Sequence, residues 1–466
     1  MTRSGQATAP ARLAPLAREL PEPGPGLCKE DLHQSVSDPL LDTMTFLNEI
    51  TERHPEAISF APGRPYEGFF DTEDVFTHLR LYFSHLAGQG SSPEQVRTAV
   101  YQYGPTAGLV RELIADSLLK EEGIRVPAES IVITVGCQEA MLLVLRALFS
   151  GPGDVLLVSS PCYVGITGAA RLLDINVTAV AERESGVSCP DLENAICAAR
   201  SRECRPRALY LVPDHANPSG NTMPLEARHA LLDLAERMNV LILEDSPYRL
   251  VSPGGQLPTL KSLDRHRRVV YLGSFAKTAF PGARVGFVAA DQQVYDASGR
   301  TSLLADEIAR IKSMVTVNTP TLSQAAIAGI LLAANGRLSE HNANETAHYK
   351  IALATMLGQL DYRFPVGRRR EIGINWTKPT GGFFLTVRVP FRANNDALER
   401  SAQSFGVTWT PMSYFYPQAG GEHEMRLSFS CLEPAEIEEG IRRLASFIES
   451  ELAGGRAGAS ARVEIP

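Results

Sequence analysis

The run NVLILED, residues 239–245, decides how the rest of the chain is read. Val240, Leu241, Ile242 and Leu243 follow one another with no polar face, the pattern of a strand covered by helices on both sides. Asp245 ends the run, and a carboxylate buried there needs a cationic or hydrogen-bonding partner. Four other runs have the same character: SIVITVG (130–136), DVLLVSS (154–160), RALYLVP (207–213) and RVVYLGS (268–274). Helical patterns separate them, among them QEAMLLVLRALF (138–149) and LEARHALLDLAERM (225–238). This alternation predicts an α/β fold with a mainly parallel sheet and right-handed crossovers. After about residue 335 the pattern changes to a long helical stretch, then GGFFLTVRV, MRLSFS and a final helix from Pro434, which reads as a smaller α+β domain.

Composition bounds the rest. The chain has 466 residues, 44% hydrophobic and 21% charged, enough for two or three domains. A net charge of -8 with no basic run argues against nucleic acid as a partner. The seven cysteines form no CxxC pair, so neither a metal site nor a disulfide framework is expected, and the odd count suits a reducing cytoplasm. No apolar run reaches membrane-spanning length, and the first twenty residues lack the apolar core of a signal peptide, so a cytoplasmic protein without a membrane partner is expected. Residues 1–30 and 454–466 read as disordered tails. Between them we expect an N-terminal segment (31–75) packing with the small domain, a large domain (76–335) and a small C-terminal domain (336–453).

Ligands of open parallel sheets gather at the carboxyl ends of the strands, so the polar residues there are informative. Gly136, Cys137 and Gln138 open a helix whose free N–H groups can hold a phosphate. Tyr163 follows the next strand with a ring able to stack on something flat, and Asn217 lies in the turn-forming NPSG. Asp245 and Tyr248 follow the run quoted first. The last strand runs into SFAKTAFPGARVGF (274–287), which brings Lys277 and Arg284 into small, apolar surroundings with no carboxylate nearby. Two such cations call for an anionic ligand.

In combination these residues resemble the fold-type I, class I/II aminotransferases that use pyridoxal phosphate. The resemblance runs from about Ile58 to about Leu444 and rests on motifs in the family's order: YQYGPTAGLVREL (101–113), TVGCQEA (134–140), SSPCY (159–163), NPSG (217–220), EDSPY (244–248), SFAKTAFPGARVGF and MRLSFS (425–430). It implies a large domain with a mainly parallel seven-stranded sheet and a smaller α+β domain. It also implies that Lys277 links covalently to the cofactor aldehyde and then shuttles the proton, while Asp245 pairs with the pyridine nitrogen. Tyr248 and Asn217 would bond the ring's 3-oxygen, and Tyr163 would stack on the ring. The phosphate would rest on the backbone of Gly136, Cys137 and Gln138 with help from Ser274 and Arg284. Cys137 stands where many relatives place a hydroxyl residue, so the backbone rather than that side chain is expected to serve.

Arg426 matches the arginine that grips the substrate α-carboxylate, and Tyr103 a tyrosine reaching the phosphate from a neighbouring subunit, which implies a homodimer with shared sites. FAPGRPYEGFFD (60–71) matches the segment covering the substrate and includes Gly63. Arg64 within it is either solvated or paired with Glu67, or it meets a polar or acidic substrate side chain. The implied function is transamination between an α-amino acid and a 2-oxo acid, in the branch of the aromatic, 2-aminoadipate and arylglycine aminotransferases. Such an enzyme can belong to specialised metabolism such as antibiotic biosynthesis, with glutamate as a candidate donor. The same cofactor site could instead run lyase, racemase or amino-acid oxidase chemistry. A DNA-binding regulator with this domain is disfavoured, because too few residues precede the match for a winged helix.

Overall fold

A computed structural model describes residues 26–38, 52–254 and 256–460, with side chains to 454. Residues 1–25 and 461–466 of the stretches read as tails therefore lie outside the described residues. Residues 26–38 form a unit of their own with two 3₁₀ turns, Lys29–Asp31 and Gln34–Ser37, and no buried residue.

From residue 52 on, the chain is built on two sheets. The larger contains β1 (Ile131–Thr134), β2 (Asp154–Ser160), β3 (Asn176–Arg183), β4 (Gly186–Val187), β5 (Arg205–Leu211), β6 (Leu241–Asp245), β7 (Val269–Ser274) and β8 (Gly286–Ala289), in the order β1-β8-β7-β6-β5-β2-β3-β4. Seven of these match the expected sheet, and the two-residue β4 adds an edge strand folded back on β3. The links β7–β6–β5–β2–β3 are parallel, whereas β8 runs against both of its neighbours. The carboxyl ends of β1, β2, β5, β6 and β7 consequently share one edge of the sheet. Helices cover both faces, as the unbroken apolar runs require: Leu156, Val158, Tyr210 and Leu243 face one core, and Leu157, Leu209 and Ile242 the other.

Helix α1 (Gly136–Leu148) packs on the sheet through Ala140, Met141, Val144 and Leu148, one stripe at helical spacing. Its first turn crosses β8 so closely that a Cβ on Gly286 would lie 2.7 Å from the Cys137 nitrogen. Only glycine fits there, and by register it sits between Thr134 of β1 and Ser274 of β7.

The smaller sheet orders β9 (Asn375–Trp376), β10 (Phe384–Arg388), β11 (Thr410–Pro411) and β12 (Glu424–Ser428) as β9-β10-β12-β11, all antiparallel. Helices α2 (Ala343–Arg363) and α3 (Pro434–Ser460) pack beside it around Trp409, Phe429, Ile437 and Phe447. The backbone of α3 continues past residue 454, into the stretch the sequence reads as a tail. Ile58–Ser59 adds a parallel pair to Val407–Thr408, and Phe60 and Ala61 enter the same core. On β12, Met425 and Leu427 point into that core, so the period of two sends Arg426 to the opposite face.

Candidate active site

A cavity of about 310 Å³ lies at the shared carboxyl edge of the large sheet, closed by the 61–64 segment and by β12. Gly63, Arg64, Cys137, Gln138, Tyr163, Asn217, Asp245, Tyr248, Ser274, Lys277, Arg284 and Arg426 all line it. Two expected residues do not. Gly136 stands just behind the wall, with φ of +72°, and a Cβ there would lie 2.5 Å from Nη2 of Arg284. Tyr103 is 85% exposed and lies outside the cavity of its own chain.

Lys277 leaves the end of β7 and donates from Nζ to the Gly63 carbonyl at 2.6 Å. Burial, with Arg284 and Arg426 nearby, pulls its ammonium down to about 8, so a neutral amine is accessible near physiological pH. Asp245, buried at the end of β6, accepts on Oδ2 from the Tyr210 hydroxyl at 2.6 Å and on Oδ1 from the Cys137 thiol at 3.7 Å. Burial lifts the carboxyl to about 6, against the pull of those two donors and of Lys277.

Helix α1 starts without a capping side chain, which leaves the N–H groups of its first turn free at the helix's positive end. Arg284 beside them has no carboxylate partner among the described residues. Gln138 donates to the Gly165 carbonyl at 2.8 Å, while its buried Oε1 has no partner. Tyr163 is half-buried against the cavity, and burial raises its phenol to about 12.

Arg426 is the residue with the largest unmet need. It is 3% exposed, lies between the rings of Phe384 (4.3 Å) and Phe415 (4.7 Å), and makes no ion pair among the described residues. Its Nη1 donates to Asn217 Oδ1 at 2.9 Å and its Nη2 to the Ala61 carbonyl at 2.6 Å and Thr410 Oγ1 at 3.2 Å, whereas the buried Nε has no partner. Burial pulls the guanidinium down to about 10. Asn217 also bonds Tyr248, whose phenol is raised by burial. Arg64 lies at the rim, 3.6 Å from Glu67, both well exposed.

Sequence reasoning missed Tyr210, Thr410 and Phe384. Tyr210 sits inside an apolar run and reads as a core aromatic; the only signal was a hydroxyl placed where a strand is covered on both faces. Among the described residues no group of His, Cys, Asp and Glu could hold a metal ion, and no helix is long and apolar enough to cross a membrane.

Comparison with known proteins agrees with this geometry. The family model "Aminotransferase class I and II" matches residues 91–444. The chain is 46% identical over 432 residues to (S)-3,5-dihydroxyphenylglycine transaminase of Amycolatopsis orientalis, covering 92% of this chain and 97% of that one. It is 32% identical to 2-aminoadipate transaminase of Thermus thermophilus, covering 88% and 94%. Among solved structures, LysN, an α-aminoadipate aminotransferase from Thermus thermophilus complexed with N-(5'-phosphopyridoxyl)-L-leucine, superposes with a TM-score of 0.74 at 28% identity, covering 91% of this chain and 98% of that one. An archaeal alanine:glyoxylate aminotransferase gives 0.76 at 26% identity, covering 90% and 98%.

Proposed function

Since the chain belongs to the class I and II aminotransferase family and is a transaminase acting between an α-amino acid and a 2-oxo acid, we propose that it works with pyridoxal 5'-phosphate in this cavity and takes an arylglycine as one amino acid. The donor set fits the cofactor. An amine that loses its proton near pH 8, a buried carboxylate, and an arginine beside uncapped helix N–H groups suit its aldehyde, ring nitrogen and phosphate in turn. The observation that carries the reading is Arg426: a buried guanidinium without an anion and with an orphaned Nε calls for a carboxylate ligand.

When bound, the cofactor supplies a ring that stores the electron pair left on the substrate α-carbon. Lys277 takes the α-proton and returns it, because its lowered basicity lets the amine alternate between its two forms at neutral pH. Asp245 holds a proton on the ring nitrogen. Arg426, with Asn217, grips the α-carboxylate and so fixes which substituent faces Lys277. Tyr248 and Asn217 serve the ring's 3-oxygen, Tyr163 the ring face, and Ser274, Arg284 and the backbone of residues 136–138 the phosphate. The 61–64 segment excludes water above the lysine.

The 46% identity to a dihydroxyphenylglycine transaminase supports the arylglycine, and the apolar walls at Met141, Val212 and Phe384 suit a flat side chain. Antibiotic or other specialised metabolism in the cytoplasm, with glutamate as donor, would follow. The boundaries 31–75, 76–335 and 336–453 remain our division of the chain. A homodimer with Tyr103 completing the neighbour's phosphate site is part of the same proposal.

The test adds 3,5-dihydroxyphenylglycine, phenylalanine, 2-aminoadipate and glutamate singly to the purified holoenzyme, following the cofactor spectrum and weighing the oxo-acid product. Stoichiometric oxo acid from the arylglycine is expected. Conversion of the others with the arylglycine inert would overturn the substrate assignment, and a preparation without bound cofactor would overturn the site.

A further inference from the structure

Asp245 is held by more than its place at the end of β6. Tyr210 on β5 stands opposite Leu243, two residues before Asp245, and the pleat therefore points its ring to the same side of the sheet as the carboxylate. Tyr210 is 1% exposed, and its hydroxyl reaches Oδ2 at 2.6 Å. Cys137, in the first turn of α1, reaches Oδ1 from the other side at 3.7 Å. The second contact is long and comes from a weak donor, so Oδ1 keeps most of its accepting capacity toward the cavity, while Oδ2 carries the strong bond from Tyr210.

We propose that Tyr210 and Cys137 are positioning residues that keep Asp245 ionised and aim Oδ1 at the ring nitrogen of the bound cofactor, and so set the basicity of that nitrogen. The inference rests on the cofactor reading above. A carboxylate taken out of water favours its neutral form, and a neutral carboxyl cannot hold a proton on a pyridine. Donors to the carboxylate favour the charged form, and here one strong and one weak donor are spread over two elements. It also gives Cys137 a role other than binding phosphate: its side chain turns toward the carboxylate, and the phosphate is left to the backbone beside it.

The test uses the holoenzyme and the pH titration of the visible absorbance of bound pyridoxal phosphate. A ring nitrogen that loses its proton withdraws fewer electrons from the nitrogen linking Lys277 to the cofactor, and that linking nitrogen keeps its proton to higher pH. Tyr210→Phe should therefore move the midpoint up by about one pH unit, and Cys137→Ala by less. Cys137→Ser, which restores a donor, should titrate near wild type. Cofactor affinity should stay within about threefold in Tyr210→Phe, whose side chain is not among the phosphate contacts. Asp245→Asn serves as the limiting case.

Wild-type midpoints in both Tyr210→Phe and Cys137→Ala, beside a displaced Asp245→Asn, would overturn the inference and leave the functional reading standing. If Tyr210→Phe does not fold, the alanine–serine difference at Cys137 decides alone, equal midpoints counting against it. A wild type whose visible band is absent would remove the functional reading and this inference with it.

Discussion

Lys277 shows how far one side chain's chemistry follows from where the chain puts it. An exposed lysine titrates near 10.4, but burial and two neighbouring arginines bring this one to about 8. Only the neutral amine attacks the cofactor aldehyde, so capture of pyridoxal phosphate by apoenzyme should accelerate as pH rises through about 8 and level off above it. Stopped-flow absorbance checks this, and a midpoint near 10 would mean the site is wetter than the geometry indicates. Lys277→Ala should abolish turnover while cofactor still binds through its phosphate. Arg64 is the contrasting case. It pairs with Glu67 in the open at 3.6 Å, and exposed pairs are worth about 1 kcal/mol or less. Arg64→Ala should therefore change kcat/KM less than about fivefold for every substrate. A selective loss for glutamate and 2-oxoglutarate would instead make Arg64 the reader of an acidic side chain.

Strands covered on both faces announce themselves in sequence, and β2, β6 and β7 lie where their apolar runs fall. The same rule explains what was not legible. β3 is half-exposed, and its one continuous apolar run, Ala179–Ala181, is too short and too small to mark a covered strand. β8 begins only at the last two residues of SFAKTAFPGARVGF, so its apolar residues are split off from the motif that draws attention there. Lys277, Asp245 and Arg426 were legible because charge at the end or on one face of an apolar strand has few bland explanations. Tyr210 and Thr410 were not, because a lone hydroxyl within a strand acquires meaning only when its partner comes from another element. Asp214, just beyond β5, is such a junction. It accepts on Oδ2 from Arg249 at 2.7 Å and from Arg228 at 3.2 Å, all three side chains buried. Burial pushes its carboxyl up, but the two guanidinium groups more than offset this and hold it below the ordinary carboxylate range. Asp214→Ala would leave the buried Arg228 without a carboxylate, while Arg249 keeps Glu122 at 3.3 Å, and should cost about 3–5 kcal/mol in denaturant unfolding. Because the folded value is depressed, Asp214's contribution is present above the usual carboxylate range and lost as pH falls through that value. The deficit of Asp214→Ala should accordingly shrink in acid.

Tyr103 has its proposed role in a second copy of the chain. Tyr103 is 85% exposed, just past helix Pro93–Tyr101, whose last residue Tyr101 is 81% exposed. The Val100 carbonyl accepts from the Thr321 hydroxyl, which brings that helix end against the start of helix Thr321–Ala333, where Leu322 is exposed. Met314, Val315 and Val317 are exposed just before it. Large apolar side chains gathered this way on a surface mark an interface more often than a solvated face. A two-fold contact through this patch would present Tyr103 to the neighbouring copy, as the proposed shared phosphate site requires. Light scattering should give twice the chain mass at micromolar concentration, and Leu322→Asp should shift it toward monomer. Tyr103→Phe should leave the dimer intact yet weaken cofactor retention about tenfold or more, the loss of one hydrogen bond to a charged phosphate. Leu322→Asp should weaken retention as well, because its monomers lack the partner's tyrosine. A wild-type monomer that retains cofactor and turns over fully would end the shared-site reading, and the phosphate would then depend on Ser274, Arg284 and the start of α1 within a single chain.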